Sequence, residues 1–176
     1  MTKISNWTFI VFDLTADAFA RRVRLHRNLK KEGAAMHSQS VYCAPYTESS
    51  FKNLQNLDDE TLVVKAEVTS AQVDELVTAY DIYITKLFSE LETKINELED
   101  AKVIATEDTP SKRGYSKRLR KMYERLDHLD YVSSLRETLD EPAVKASSLE
   151  IEIQDAVDAF RQRVEYIDRQ PPGKFL

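Results

Sequence analysis

The chain has 176 residues, enough for one domain or one small domain with an appendage. Its 42% hydrophobic content can fill a core, and its net charge of −5 argues against a uniformly basic nucleic-acid coat while leaving room for a local basic face. A single cysteine, Cys43, excludes an intrachain disulfide and fits a reducing compartment.

No apolar stretch reaches the roughly 18 residues of a membrane span. Met1 to Trp7 does not read as a signal peptide. The expectation is a cytoplasmic protein with no membrane partner.

The first element, Trp7-Thr8-Phe9-Ile10-Val11-Phe12-Asp13-Leu14, is a run of aromatic and β-branched residues and reads as a buried strand. Thr15 or Asp17 offers a capping oxygen for the helix that follows. That helix runs to about Glu32 and stops at Gly33. Its expected apolar face is Phe19, Ala20, Val23 and Leu29, with His26 beside them. From Thr15 to Gly33 there are six Lys/Arg and two acids, a local charge of +4.

Ala34 to His37 and Ser40 to Ala44 read as a hairpin turning at Ser38-Gln39, or as one bent strand with a bulge. Thr47-Glu48-Ser49-Ser50 opens a short helix through Phe51, Leu54 and Leu57. Thr61 to Val68 is the fourth strand. The order strand–helix–strand–strand–helix–strand is that of a ferredoxin-like domain, expected over 1–68.

The rest reads as helical over 69–170, followed by a tail at 171–176. Val73, Leu76, Val77, Tyr80, Ile84, Leu87, Leu91, Ile95 and Leu98 form one stripe at helical spacing, about 40 Å long at ~1.5 Å per residue. Two later stripes can cover it. One holds Leu119, Met122, Tyr123 and Leu126. The other, from Leu149 to Ile167, is expected to lie antiparallel to the long helix. Val132, Leu135 and Leu139 suggest a separate shorter helix. Thr106 to Gly114 reads as a loop. Pro142, or the Ser147-x-x-Glu150 box, offers a start for the last helix. The class is therefore α+β, a ferredoxin-like βαββαβ core with an antiparallel helical region.

Three groups of residues could carry chemistry. Asp13 ends strand one, and in a dimer it could meet its symmetry mate and hold a divalent cation; the plain alternative is a residue that leads into the next helix. The basic helix carries Arg21, Arg22, Arg24, Arg27, Lys30 and Lys31, which could contact phosphates or form a solvated face. A second cluster holds Lys112, Arg113, Lys117, Arg118, Arg120, Lys121 and Arg125. From Ser111 to Arg125 it sets seven cations against one acid and includes Tyr115. It suits a polyanion, or a surface paired to Glu97, Glu99 and Asp100.

His37 and Cys43 are too few for a zinc site. There is no Gly-rich phosphate loop, no G-x-S-x-G and no H-E-x-x-H. No metal and no cofactor are expected.

The run Phe9-Ile10-Val11-Phe12, then Ala20-Arg21-Arg22-Val23-Arg24-Leu25-His26-Arg27-Asn28-Leu29-Lys30 with Gly33-Ala34, then Ser40-Val41-Tyr42-Cys43-Ala44-Pro45, resembles the N-terminal domain of ChrB-type chromate-resistance regulators. His26 departs from the family pattern, which has an aromatic residue there. The chain ends at Leu176 without the separate domain tied to chromate sensing. The resemblance therefore implies a regulatory or DNA-associated module rather than a complete sensor.

The same half is also similar to PaaX-type repressors and to small CRISPR-associated adaptation proteins. In the latter, the strand-one aspartate would correspond to Asp13 and a Q-x-S-V-F strand to Gln39-Ser40-Val41-Tyr42.

Three readings follow. The first is a non-enzymatic regulator that binds DNA or a protein partner through Arg21, Arg24, Arg27, Lys30 and Lys31, with Lys117, Arg118 and Lys121 in support. The second is a metal-dependent nuclease using Asp13 across a homodimer. The third is an interaction module whose long helix pairs with another chain.

Overall fold

A computed structural model describes residues 4–69, 71–104, 109–142, 144 and 152–170. The element order is β1 (Ile4–Val11), a 3-10 turn (Ala16–Ala18), α1 (Phe19–Lys31), β2 (Ala35–Ser38), β3 (Val41–Pro45), α2 (Glu48–Gln55), β4 (Leu62–Thr69), α3 (Ala71–Ile104), α4 (Thr109–Glu137) and α5 (Ile153–Arg169). The four strands form one sheet in the order β2-β3-β1-β4, with every neighbouring pair antiparallel. This is the α+β arrangement expected from the strand and helix order. Among the described residues, no helix is long and apolar enough to cross a membrane.

The chain divides into two compact units, Met1–Tyr83 with Tyr131–Val144, and Ile84–Asp130 with Lys145–Leu176. The divisions fall inside α3 and α4.

In the first unit, β1 pairs with β4 from Ile4↔Thr69 to Val11↔Leu62, so the strand begins three residues before the aromatic run. It ends at Val11, although the Phe12 amide still donates to the Ser40 carbonyl at 3.1 Å. Because strand side chains alternate, Ile10, Tyr42 and Ala44 face one layer of core with Leu25, Leu29 and Leu54. Trp7 faces the other side, fully buried, with its ring edge-on to Tyr80 at 6.0 Å.

Two features of α1 differ from expectation. Neither Thr15 nor Asp17 caps it; the chain enters through the 3-10 turn, closed by the Ala18 amide on the Thr15 carbonyl at 3.1 Å. The apolar face is also rotated. Leu25 and Leu29 are buried, whereas Phe19 is 72% and Val23 38% exposed. Phe19 and Val23 are also spaced i, i+4, so spacing admits either face, and it is Leu25 and Leu29 that pack on the sheet.

Gly33 ends α1 as the sequence suggests. Its φ of 73° is left-handed, its amide bonds the Lys30 carbonyl, and the Ala34 amide reaches back to the Leu29 carbonyl, each at 3.0 Å. That is the Schellman pattern of helix termination. The Tyr80 hydroxyl donates to the Gly33 carbonyl at 2.8 Å. α2 is capped by the Thr47 hydroxyl, which accepts from the Ser50 amide at 3.1 Å.

Asp81 and Arg136 form a buried ion pair in this unit, at 2.6 Å between Nε and Oδ1. Arg136 also donates to the carbonyls of Glu141 and Pro142 at 2.9 and 2.8 Å. The Val144 amide donates to Asp81 at 3.0 Å.

The second unit is built from the later part of α3, the earlier part of α4, and α5. Phe88 lies beside Phe160 with ring centres 5.7 Å apart, Arg163 holds Glu99 at 2.9 Å, and Lys102 donates to the Asp168 carbonyl at 3.4 Å. Both residue numbers rise together, so α5 runs parallel to α3, not antiparallel. Arg161 reaches Asp127 and Asp130 of α4 whereas Asp168 acts on the earlier Tyr123 and Tyr115, so α4 runs antiparallel to α5.

Three further expectations change. Phe88, not Leu87, fills the stripe of α3; Leu87 is half-buried. Thr109 to Gly114 belongs to α4, and Val132 and Leu135 continue that same helix. Pro142 does not begin α5, which starts at Ile153. Leu149 and the Ser147–Glu150 box lie outside the described residues. So do the side chains of Lys112 and Arg113, and the tail at 171–176.

Candidate nucleic-acid interface

The solvent side of α1 follows from the rotation just described. Burying Leu25 and Leu29 turns Arg24, Arg27, Lys30 and Lys31 outward, together with Phe19, Ala20 and Val23. Among the described residues, no acid lies within ion-pair distance of those four cations.

The other two arginines of α1 are engaged. Arg21 forms a two-point pair with Asp58, with one contact at 2.9 Å, and reaches Glu60 at 2.7 Å. These hydrogen bonds raise the Arg21 pKa, and Arg21 in turn holds the Asp58 carboxyl below its ordinary value. Arg22 donates to the Leu14 and Thr15 carbonyls. Arg21, named among the sequence candidates, therefore ties α1 to the turn before β4.

His26 lies on the inner flank of α1. Its Nδ1 is hydrogen-bonded to the Tyr42 hydroxyl, and its ring packs edge-on to Phe12 at 5.7 Å. Burial lowers its pKa, with Arg22 and Lys30 adding to the effect.

Asp13 is exposed between β1 and the 3-10 turn. Among the described residues, no group of three His, Cys, Asp or Glu side chains gathers to hold a metal ion. His37 is exposed, while Cys43 is buried and its thiol is pushed up to about 12 by burial.

In the second unit, Lys117, Arg118 and Lys121 are exposed on α4. Arg118, Lys121 and Arg125 line a groove of about 150 Å³ with Lys94 and Glu97. Glu97 is held by Lys94 at 2.6 and 2.7 Å. Its pKa is lowered by that bond first, then by the fields of Arg118 and Arg125. Four cations thus line the groove with one carboxylate, on which Lys94, Arg118 and Arg125 act. Glu99 goes to Arg163, and Arg120 pairs weakly with Glu124 at 3.8 Å.

Tyr115 is buried beneath Lys102, whose Nζ lies 4.4 Å from its ring centre, so it offers no stacking face. What the sequence pattern did not flag was Phe19 on the outer face of α1. A helical wheel phased on Leu25 and Leu29 would have moved it off the buried seam, to the flank.

No protein-family model and no curated protein matches the chain. A solved structure, the uncharacterized protein Rv0674 from Mycobacterium tuberculosis, is similar with a TM-score of 0.44 at 14% identity. The match covers 93% of this chain and 64% of that one, so the chain spans less than two thirds of that protein's length.

Proposed function

We propose that this chain is a non-enzymatic regulatory protein that binds duplex DNA, in the manner implied by its resemblance to the N-terminal module of ChrB-type regulators. The observation that carries the reading is the outer face of α1, where Arg24, Arg27, Lys30 and Lys31 are exposed and unpaired with acids among the described residues. Cations left unneutralised by the protein are free to displace counterions from phosphates. The groove of Arg118, Lys121 and Arg125 is a second basic surface of the same chemical kind.

Protein binding is a second reading, favoured by Phe19. An aromatic ring 72% exposed at the start of the helix that carries these cations also suits an acidic, amphipathic partner segment. The nuclease reading has less to rest on, since Asp13 has no three-ligand cluster around it within the described chain.

The test is a salt-titrated affinity for duplex DNA. Charge reversal of Arg24 and Arg27 should weaken binding and reduce the slope of log affinity against log salt by about 0.9 for each phosphate that is no longer neutralised. Reversal at Lys117 and Lys121 asks the same of the second surface. An unchanged slope after both pairs are reversed, or no affinity in the wild type, overturns the reading.

A further inference from the structure

Among the described residues, β4 is an outermost strand of the sheet, with β1 as its one neighbouring strand. The opposite edge, β2, is four residues long and carries a register shift, two devices that discourage edge pairing. β4 has neither. It runs eight residues without proline, in unbroken register with β1, and Leu62 and Val64 are 61% and 39% exposed along it.

An edge this long and regular is a template for another strand, and its own sequence specifies which one. In a two-fold antiparallel pairing, facing residues must point to the same side of the joined sheet, so the axis passes through a residue. If that residue is Ala66, Lys65 faces Glu67 of the second copy, Glu67 faces Lys65, and Val64 faces Val68 on the other side. Moving the axis by one residue sets Lys65 against Lys65, or Glu67 against Glu67. Opposed like charges destabilise a cross-strand pair and opposite charges stabilise it, so the neighbouring registers are disfavoured.

Both charged side chains are exposed. The Lys65 Nζ lies over the Tyr46 ring, 4.1 Å from the ring centre, and leaves that contact to meet Glu67 of a second copy. We infer that β4 is a homodimer edge. A second copy of this chain adds its β4 antiparallel about Ala66, joining two four-stranded sheets into one of eight strands.

The experiment is sedimentation equilibrium on the full chain. The wild type should dimerise. Lys65→Glu and Glu67→Lys should each raise the dissociation constant about tenfold or more, because two attractive pairs become repulsive. Mixing the two variants in equal amounts should restore the dimer, since each then faces its opposite. Circular dichroism of each variant checks that it folds, and the double variant K65E/E67K should dimerise by itself. A wild type monomeric at all concentrations overturns the inference. So does a dimer insensitive to either reversal, or one that mixing fails to restore.

Discussion

Arg136 and Asp81, 55 residues apart in sequence, meet through two hydrogen bonds of 2.6 and 3.2 Å, with both side chains at 2% exposure or less. Nothing of this pair is visible as a motif. Arg136 also fastens the two carbonyls that follow α4, and Asp81 takes the Val144 amide. The pair thus organises the end of α4 and the exit from it against α3, within the first unit.

Removing one partner leaves the other charge buried and its carbonyls or amide unmet. Arg136→Met or Asp81→Leu should each cost about 3–5 kcal/mol of stability, the range for breaking a buried pair. The double variant should cost clearly less than the sum of the two, because no isolated charge remains. Chemical denaturation of the four proteins measures this coupling, and strictly additive losses would show that the two side chains do not depend on each other.

Gly33 is constrained twice. Its φ of 73° disfavours a side chain, and a Cβ there would lie 2.6 Å from Cδ1 of Leu135. Gly33→Ala should therefore destabilise the protein by about 1–2 kcal/mol from the backbone alone, with the steric clash adding to it. Gly114, with nothing within 4 Å of its Cβ position and a helical setting, provides the control. Gly114→Ala should be stabilising by up to about 1 kcal/mol. Equal thermal shifts for the two variants would contradict the assigned conformations.

His26 predicts the direction of an acid dependence. Burial and its cationic neighbours set its pKa below the ordinary 6.5. As pH falls below about 6.5, the unfolded chain takes up the proton before the folded one, so the unfolded state holds more protons and stability drops. Burial shifts His128 in the same direction. His26→Gln should be less stable at neutral pH, without the native hydrogen bond to Tyr42, and the gap to the wild type should narrow on acidification. Denaturant midpoints across this range report it; a gap that stays constant or widens contradicts the assignment.

Much of the fold was written in local pattern. The β-branched runs, the Gly33 stop, the Thr47 cap and the strand–helix order were enough to place β1 to β4, α1 and α2, because each depends on residues close in sequence. The basic character of α1 was equally legible as composition. Which of its arginines are available was not. Arg21 is taken by Asp58 and Glu60, 37 and 39 residues away, and only the folded chain brings those acids to it.

The phase of α1 shows the same limit. Phe19, Val23, Leu25 and Leu29 admit more than one apolar face, and the sheet beneath selects the leucine pair. The direction of α5 also lay beyond pattern, since an apolar stripe carries no polarity and packs equally well either way. The contacts of Phe160 with Phe88 and of Asp168 with Lys102, rising together along the two helices, define it. Sequence alone determined the order of strands and helices up to β4 and where charge concentrates, because those properties are set by neighbours along the backbone, but it put a loop and a separate helix where α4 runs unbroken from Thr109 to Glu137. Tertiary structure decided which charges are used up internally and which face outward, because charges neutralise one another by distance in space.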